Sequence, residues 1–162
     1  MRTVKHGGTT NGQLSAFVIV PETGFAVAVC TNADRGGALH AELVRWALDR
    51  VLDVRATDPQ ASDIDADAAA EYTGVYEARL ARSELTWVDG EIEVRTTPQN
   101  LPIAADIAPE APPPVRIRRI ATDRFVITGG RATGMTVEFL RGDDGDIEWA
   151  RLGGRIARRV AR

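Results

Sequence analysis

The residue types best suited to chemistry stand together near the start of the chain, in His6-Gly7-Gly8-Thr9-Thr10-Asn11-Gly12-Gln13. Three glycines within six positions leave the peptide N–H groups uncovered, so a substrate oxygen can approach the backbone closely. His6 and Thr9 flank that bare backbone with groups that can donate protons. An ordinary surface turn is the plain alternative for the same residues.

The elements that must position this stretch follow directly. Residues 4–12 read as a loop, Gln13–Val20 as a strand, Pro21-Glu22-Thr23-Gly24 as a tight turn and Phe25–Thr31 as a second strand antiparallel to the first. The nearly continuous apolar character of both runs predicts interior strands covered on both faces. A helix is expected from Ala38 to Asp53, packing Leu39, Leu43, Trp46, Ala47 and Val51 on the sheet. His40 reads as a surface or capping histidine, because no second His or Cys stands at metal-ligand spacing. Cys30 is the single cysteine, and its place in an apolar strand predicts a buried structural thiol.

The order H-G-G-T-x-x-G, apolar strand, P-E-x-G, apolar strand and T-N resembles the C-terminal part of the serine β-lactamase and penicillin-binding family, especially its class C and esterase-like branch. In that family a Lys-Thr-Gly or His-x-Gly motif lies on the strand edging the cleft, and His6-Gly7-Gly8 stands in its place. The resemblance implies catalytic roles for His6, on the carbonyl or carboxylate side of the ligand, and for the backbone N–H of Thr9, as an oxyanion-hole donor. It further implies that Gly7, Gly8 and Thr10 contact the substrate. The implied substrates are a β-lactam, an ester or a D-amino-acid peptide, with no cofactor and no metal.

The same family acylates a serine in Ser-x-x-Lys, and this chain has none. Its serines are Ser15, Ser62 and Ser83, and its one lysine, Lys5, precedes them all. Neither Tyr72 nor Tyr76 begins a Tyr-x-Asn motif. The chain therefore reads as the end of a longer enzyme, with one wall of an active site, a missing N-terminal catalytic region and no activity alone. Exposed strands at such a start would invite a dimer.

Composition narrows the classes. The 162 residues carry a net charge of -3 and 44% hydrophobic content, enough for a folded core and no footprint for nucleic acid. No run approaches the roughly 20 apolar residues of a membrane span, and no signal peptide is apparent. Location, cytoplasmic or secreted, would be set by the missing N-terminus.

Residues 55–70 are rich in Ala and Asp and are broken by Pro59, which reads as a linker, ending in a short helical turn before Tyr72, between a 1–54 segment and a 71–162 domain. Its acidic run Asp63, Asp65 and Asp67 lacks the glycine and distal glutamate of a calcium loop. From Tyr72 onward about eight short strands, separated by turns such as Asp89-Gly90 and Gly153-Gly154, predict a small antiparallel up-and-down barrel or a strongly curved sheet. The opening Glu71-Tyr72-x-Gly74-x-Tyr76-Glu77 resembles the first strand of the lipocalin-like domain often appended to this hydrolase family. The fold class is accordingly α+β.

Trp87, Trp149, Phe125 and Phe139 are candidates for the barrel interior, either as packed core or as a ligand lining. The segment from Leu101 to Pro114 reads as a long surface loop, and Arg155, Arg158, Arg159 and Arg162 as solvent-facing charges on an edge strand. A non-catalytic barrel that binds a ligand or partner is the reading from another class.

Overall fold

The computed structural model describes residues 1–10, 12–33, 36–55, 60–100 and 110–161. The chain is mixed but mostly β, in two compact units, Met1–Asp58 and Pro59–Arg162.

In the first unit, strands β1 (Val4–Thr10), β2 (Gln13–Val20) and β3 (Phe25–Thr31) form an antiparallel sheet in that order. The first of them corrects the loop expected over residues 4–12. Val4 to Thr10 pair without interruption with Ile19 to Gln13, because a strand needs only backbone partners and the glycines withhold none. Helix α1 (Gly36–Leu52) packs on β2 and β3.

Two packing expectations are overturned here. Burial in β2 and β3 alternates instead of being continuous: Val18 and Val20 are buried, whereas Ser15, Phe17 and Cys30 are exposed. Cys30 is thus on the open face of the sheet, since its parity along β3 opposes that of Thr31, which faces α1. On the helix, Leu39, Leu43, Trp46 and Val51 are exposed, and the buried residues are Gly36, His40 and Ala47. Both stripes recur at helical spacing, but the small side chains let the backbone approach the sheet more closely. His40 is accordingly a buried residue and not a surface one.

The second unit is a closed antiparallel barrel. Its strands are β4 (Gly74–Ala78), β5 (Ala81–Val88), β6 (Glu91–Pro98), β7 (Val115–Ala121), β8 (Arg124–Ile127), β9 (Thr136–Arg141), β10 (Ile147–Leu152) and β11 (Arg155–Ala161). Each pairs with its successor apart from β11, which pairs with β4 and closes the ring. The short helix α2 (Ala66–Ala70) precedes it, with Asp65 accepting from the Ala68 N–H at 2.8 Å as its N-cap.

Residues 60–70 of the expected linker therefore belong to the barrel. Ala69 and Ile64 sit in its core, and the Ser62 N–H bonds the Arg119 carbonyl at 2.7 Å. Residues 56–59 and 101–109 lie outside the described residues, while Glu110 to Pro114 are exposed and outside any strand.

Alternating positions send Tyr76, Leu85, Ile92, Ile117, Phe125 and Val137 inward, all below 2% exposure. Tyr72, Phe125 and Phe139 meet with ring centroids 4.9 to 5.3 Å apart, so side chains fill the interior at this level. Trp87 packs against the core from its rim. Trp149 points outward, with the Arg158 guanidinium 5.6 Å from its ring. This pairing corrects both the interior role for Trp149 and the edge strand for the C-terminal arginines, because a closed barrel has no edge. Arg159 is half-buried over the Tyr76 ring at 5.8 Å and donates to the Thr73 carbonyl, while Arg162 lies outside the described residues.

One polar cluster ties the barrel end together. Tyr72 donates to Asp123 Oδ1 at 3.0 Å, and Arg141 donates to both Asp123 oxygens at 2.7 and 2.9 Å, to Glu71 at 2.9 Å and to the Gly145 carbonyl at 2.8 Å. The Arg141 bonds, helped by the one from Tyr72, hold the Asp123 carboxyl below its usual range against the opposing effect of burial. A group lowered on folding stabilises the protein above its unfolded value and loses that contribution as pH falls through its folded value. Arg141→Met is therefore expected to cost roughly 1–3 kcal/mol at neutral pH. It should also flatten the loss of barrel stability below about pH 4, a difference that urea melts of the two proteins between pH 7 and 2 would read.

Candidate active-site wall

The geometry of the glycine-rich stretch follows from its register. Thr10 pairs with Gln13, and only two residues separate them, so this pair must be of the hydrogen-bonded kind. Alternation makes Gly8 with Ser15, His6 with Phe17 and Val4 with Ile19 hydrogen-bonded too. The N–H and C=O groups of Lys5, Gly7 and Thr9 consequently point away from β2. Among the described residues no strand pairs with that edge. Thr9 thus presents a free backbone donor between two residues whose own N–H groups are engaged.

The side chains divide by the same parity. His6 and Thr10 stand on the open face of the sheet with Ser15, Phe17 and Cys30, and Gly8 leaves a bare Cα among them. Thr9 and Lys5 stand on the face that carries α1, in line with Leu14 and Val18. His6, Gly7, Gly8, Thr9 and Thr10 are all exposed. The strand therefore brings the five named residues together at one edge, with His6 rising from the sheet face and the Thr9 amide projecting in its plane.

Close approach explains the two glycines. A Cβ at Gly7 would lie 3.0 Å from the Ser15 carbonyl oxygen, and one at Gly8 would lie 3.1 Å from Ser15 Oγ. Ser15 leans over the place that a side chain at residue 8 would fill. It is a neighbour that the sequence reading did not assign to the site, although the Asn11-Gly12 dipeptide signals the tight hairpin that brings it there.

Among the described residues Ser15 is not brought to the chain's one lysine. Ser15 and Lys5 belong to opposite faces, so their side chains cannot meet across β1 and β2. Ser83 is buried with its hydroxyl 2.9 Å from Thr96 Oγ1, and Ser62 donates to the Arg119 carbonyl at 3.3 Å. Among the described residues no three His, Cys, Asp or Glu side chains gather to hold a metal ion. No helix there is long and apolar enough to cross a membrane.

The barrel unit carries surface hollows among its described residues. One, of about 340 Å³, opens between α2 and strands β4 and β5 and is lined in part by Glu84, Thr86 and Trp87. Tyr76, whose hydroxyl donates to the Tyr72 carbonyl at 3.0 Å, has its pKa pushed up to about 12 by burial and is not poised for proton transfer near neutral pH.

No protein-family model and no curated protein matches the chain. Solved structures do: a crystal structure of SurE with D-Leu is 22% identical with a TM-score of 0.58, over 98% of this chain and 35% of that one. A second SurE crystal structure gives 22% identity and a TM-score of 0.53 over 96% of this chain and 34% of that one. The chain thus spans about a third of the length of the SurE chains it matches, and what it shares with that third is the fold.

Proposed function

We propose that this chain is the C-terminal region of a β-lactamase-related serine hydrolase, contributing one wall of the active site and not the nucleophile. The observation that carries the reading is the Thr9 amide, free at an unpaired strand edge and flanked by the bare backbone of Gly7 and Gly8, with His6 on the adjoining face.

In this reading an acyl group lies along β1, its carbonyl oxygen against the Thr9 N–H, and a serine from elsewhere attacks the carbonyl carbon. The developing negative charge on that oxygen is what the amide stabilises. His6 contacts the ligand beside it. Gly7, Gly8 and Thr10 shape the contact with substrate, and Gly8 removes the side chain that would stand between the ligand and Ser15.

Among a β-lactam, an ester and a D-amino-acid peptide, the third is favoured. A solved neighbour of the same fold carries D-Leu, and His6 lacks the permanent cation suited to a β-lactam carboxylate. The barrel then serves as an appended lipocalin-like domain. A dimer through exposed strands would use the same β1 edge and would cover the Thr9 amide, so the hydrolase reading requires that edge to be free in the working enzyme.

The competing reading is a non-catalytic module whose barrel binds a ligand or partner. His6→Ala separates the two in a longer polypeptide that carries this chain behind a Ser-x-x-Lys segment. We expect turnover of a D-amino-acid ester to fall roughly 10- to 100-fold. Unchanged turnover would show that the His6 strand is only structural.

A further inference from the structure

His40 is a titratable side chain that the proposed chemistry does not use, yet it is 5% exposed and its Nε2 lies 3.0 Å from Thr31 Oγ1. The first turn of α1 is built around this contact. A Cβ at Gly36 would fall 1.9 Å from Thr31 Oγ1 and 2.9 Å from its Cβ, so only glycine lets the helix seat there without displacing Thr31. One residue on, a Cβ at Gly37 would be 3.9 Å from Leu14 Cδ2.

The residues under that turn form a row across the sheet. Thr31 pairs with Leu14, and Leu14 pairs with Thr9. Because Ser15 spends its backbone groups on β1, Leu14 directs its own towards β3, and its pair with Thr31 is hydrogen-bonded. The pair of Leu14 with Thr9 is then the other kind, in which opposed side chains approach more closely. All three side chains share the face covered by α1. The start of the helix is therefore linked to the strand carrying the free amide through one hydrogen bond and two successive cross-strand pairs.

We propose that His40 is a positioning residue for the Thr9 amide, acting through Thr31 and Leu14. The inference rests on the role assigned above to that amide. The His40 bond fixes Thr31 at the end of β3, where the chain leaves the sheet and fraying is easiest, and Leu14 passes this constraint to Thr9. Lys5, at the opposite end of β1, pairs with Val18 and lies outside the row.

The test uses the full 162-residue chain labelled with ¹⁵N, comparing amide spectra and hydrogen exchange for the parent sequence and for His40→Ala, Thr31→Val and His40→Gln. His40→Ala and Thr31→Val are expected to displace the Thr9 cross-peak and leave Lys5 in place, and to speed exchange of the Leu14 amide about tenfold. His40→Gln, which keeps a polar group at similar reach, should restore both. A Thr9 signal that stays in place, or one that moves no more than Lys5, would overturn the proposal. Should His40→Ala fail to fold, Thr31→Val decides by the same two readings. Loss of turnover on removing the amide itself tests the active-site role separately, so failure of the positioning link and failure of the wall reading give different results.

Discussion

On the proposed hydrolase function, Thr9→Pro is expected to lower kcat/KM by about 10²- to 10³-fold in a polypeptide that joins this chain to an upstream Ser-x-x-Lys region, whereas Thr9→Ala should leave it nearly unchanged. The contrast isolates the backbone. Proline removes the N–H, and alanine removes only a side chain that belongs to the α1 face of the sheet. Proline is tolerated on an edge strand when its N–H would face outward, and the register places the Thr9 N–H on that side. The sheet should therefore persist, which the unchanged circular dichroism of Thr9→Pro would check. Equal activity in the two variants would remove the amide from the mechanism.

The largest effect on stability is expected at Phe125. Its side chain is 0% exposed, and its ring meets Tyr72 at 4.9 Å and Phe139 at 5.3 Å, both edge to face. Phe125→Ala deletes the centre of that cluster and should cost roughly 3–5 kcal/mol, comparable with the whole stability of many small domains. A closed barrel has limited means of collapsing onto the gap, because its strands are tied on both sides. Urea melts followed by tryptophan fluorescence would read the loss through Trp87 and Trp149, and a drop below 1 kcal/mol would mean that the interior is not packed as described.

How much of this was legible depended on whether side chains or backbone carried the signal. The apolar runs of β2 and β3 and the turn-punctuated strands of the barrel stand where hydrophobic pattern places them, since burial of those side chains is what selects them. Strand β1, which only the family resemblance implies, is hidden from the residue pattern for the converse reason. Its glycines and threonines read as a loop, but its pairing with β2 draws only on peptide groups. The burial of Cys30 and His40 was misjudged because periodicity shows that an element has two faces without showing which one is covered.

Helix α1 makes the same point. Its Leu39, Leu43 and Trp46 stripe carries the larger apolar area, yet the sheet takes Gly36, His40 and Ala47, where small residues and the Thr31 bond allow the closer fit. The short helical turn expected before Tyr72 stands as Ala66–Ala70, but alanine and aspartate mark flexible segments as readily as a short capped helix, and only the burial of Ile64 and Ala69 ties this stretch to the barrel. The proposed active-site wall was read from the order of its motifs. The direction of the Thr9 amide, on which its chemistry depends, required the register.

The most direct test of the account is intact mass after exposure to an acylating penicillin and to a fluorophosphonate. Two proteins would be compared, this chain alone and the chain joined to an upstream Ser-x-x-Lys region. The account predicts no adduct on the folded chain alone and a stoichiometric adduct on the upstream serine of the longer protein. An adduct on Ser15 or Thr9 of the chain alone would contradict it, as would a folded longer protein that neither reagent acylates.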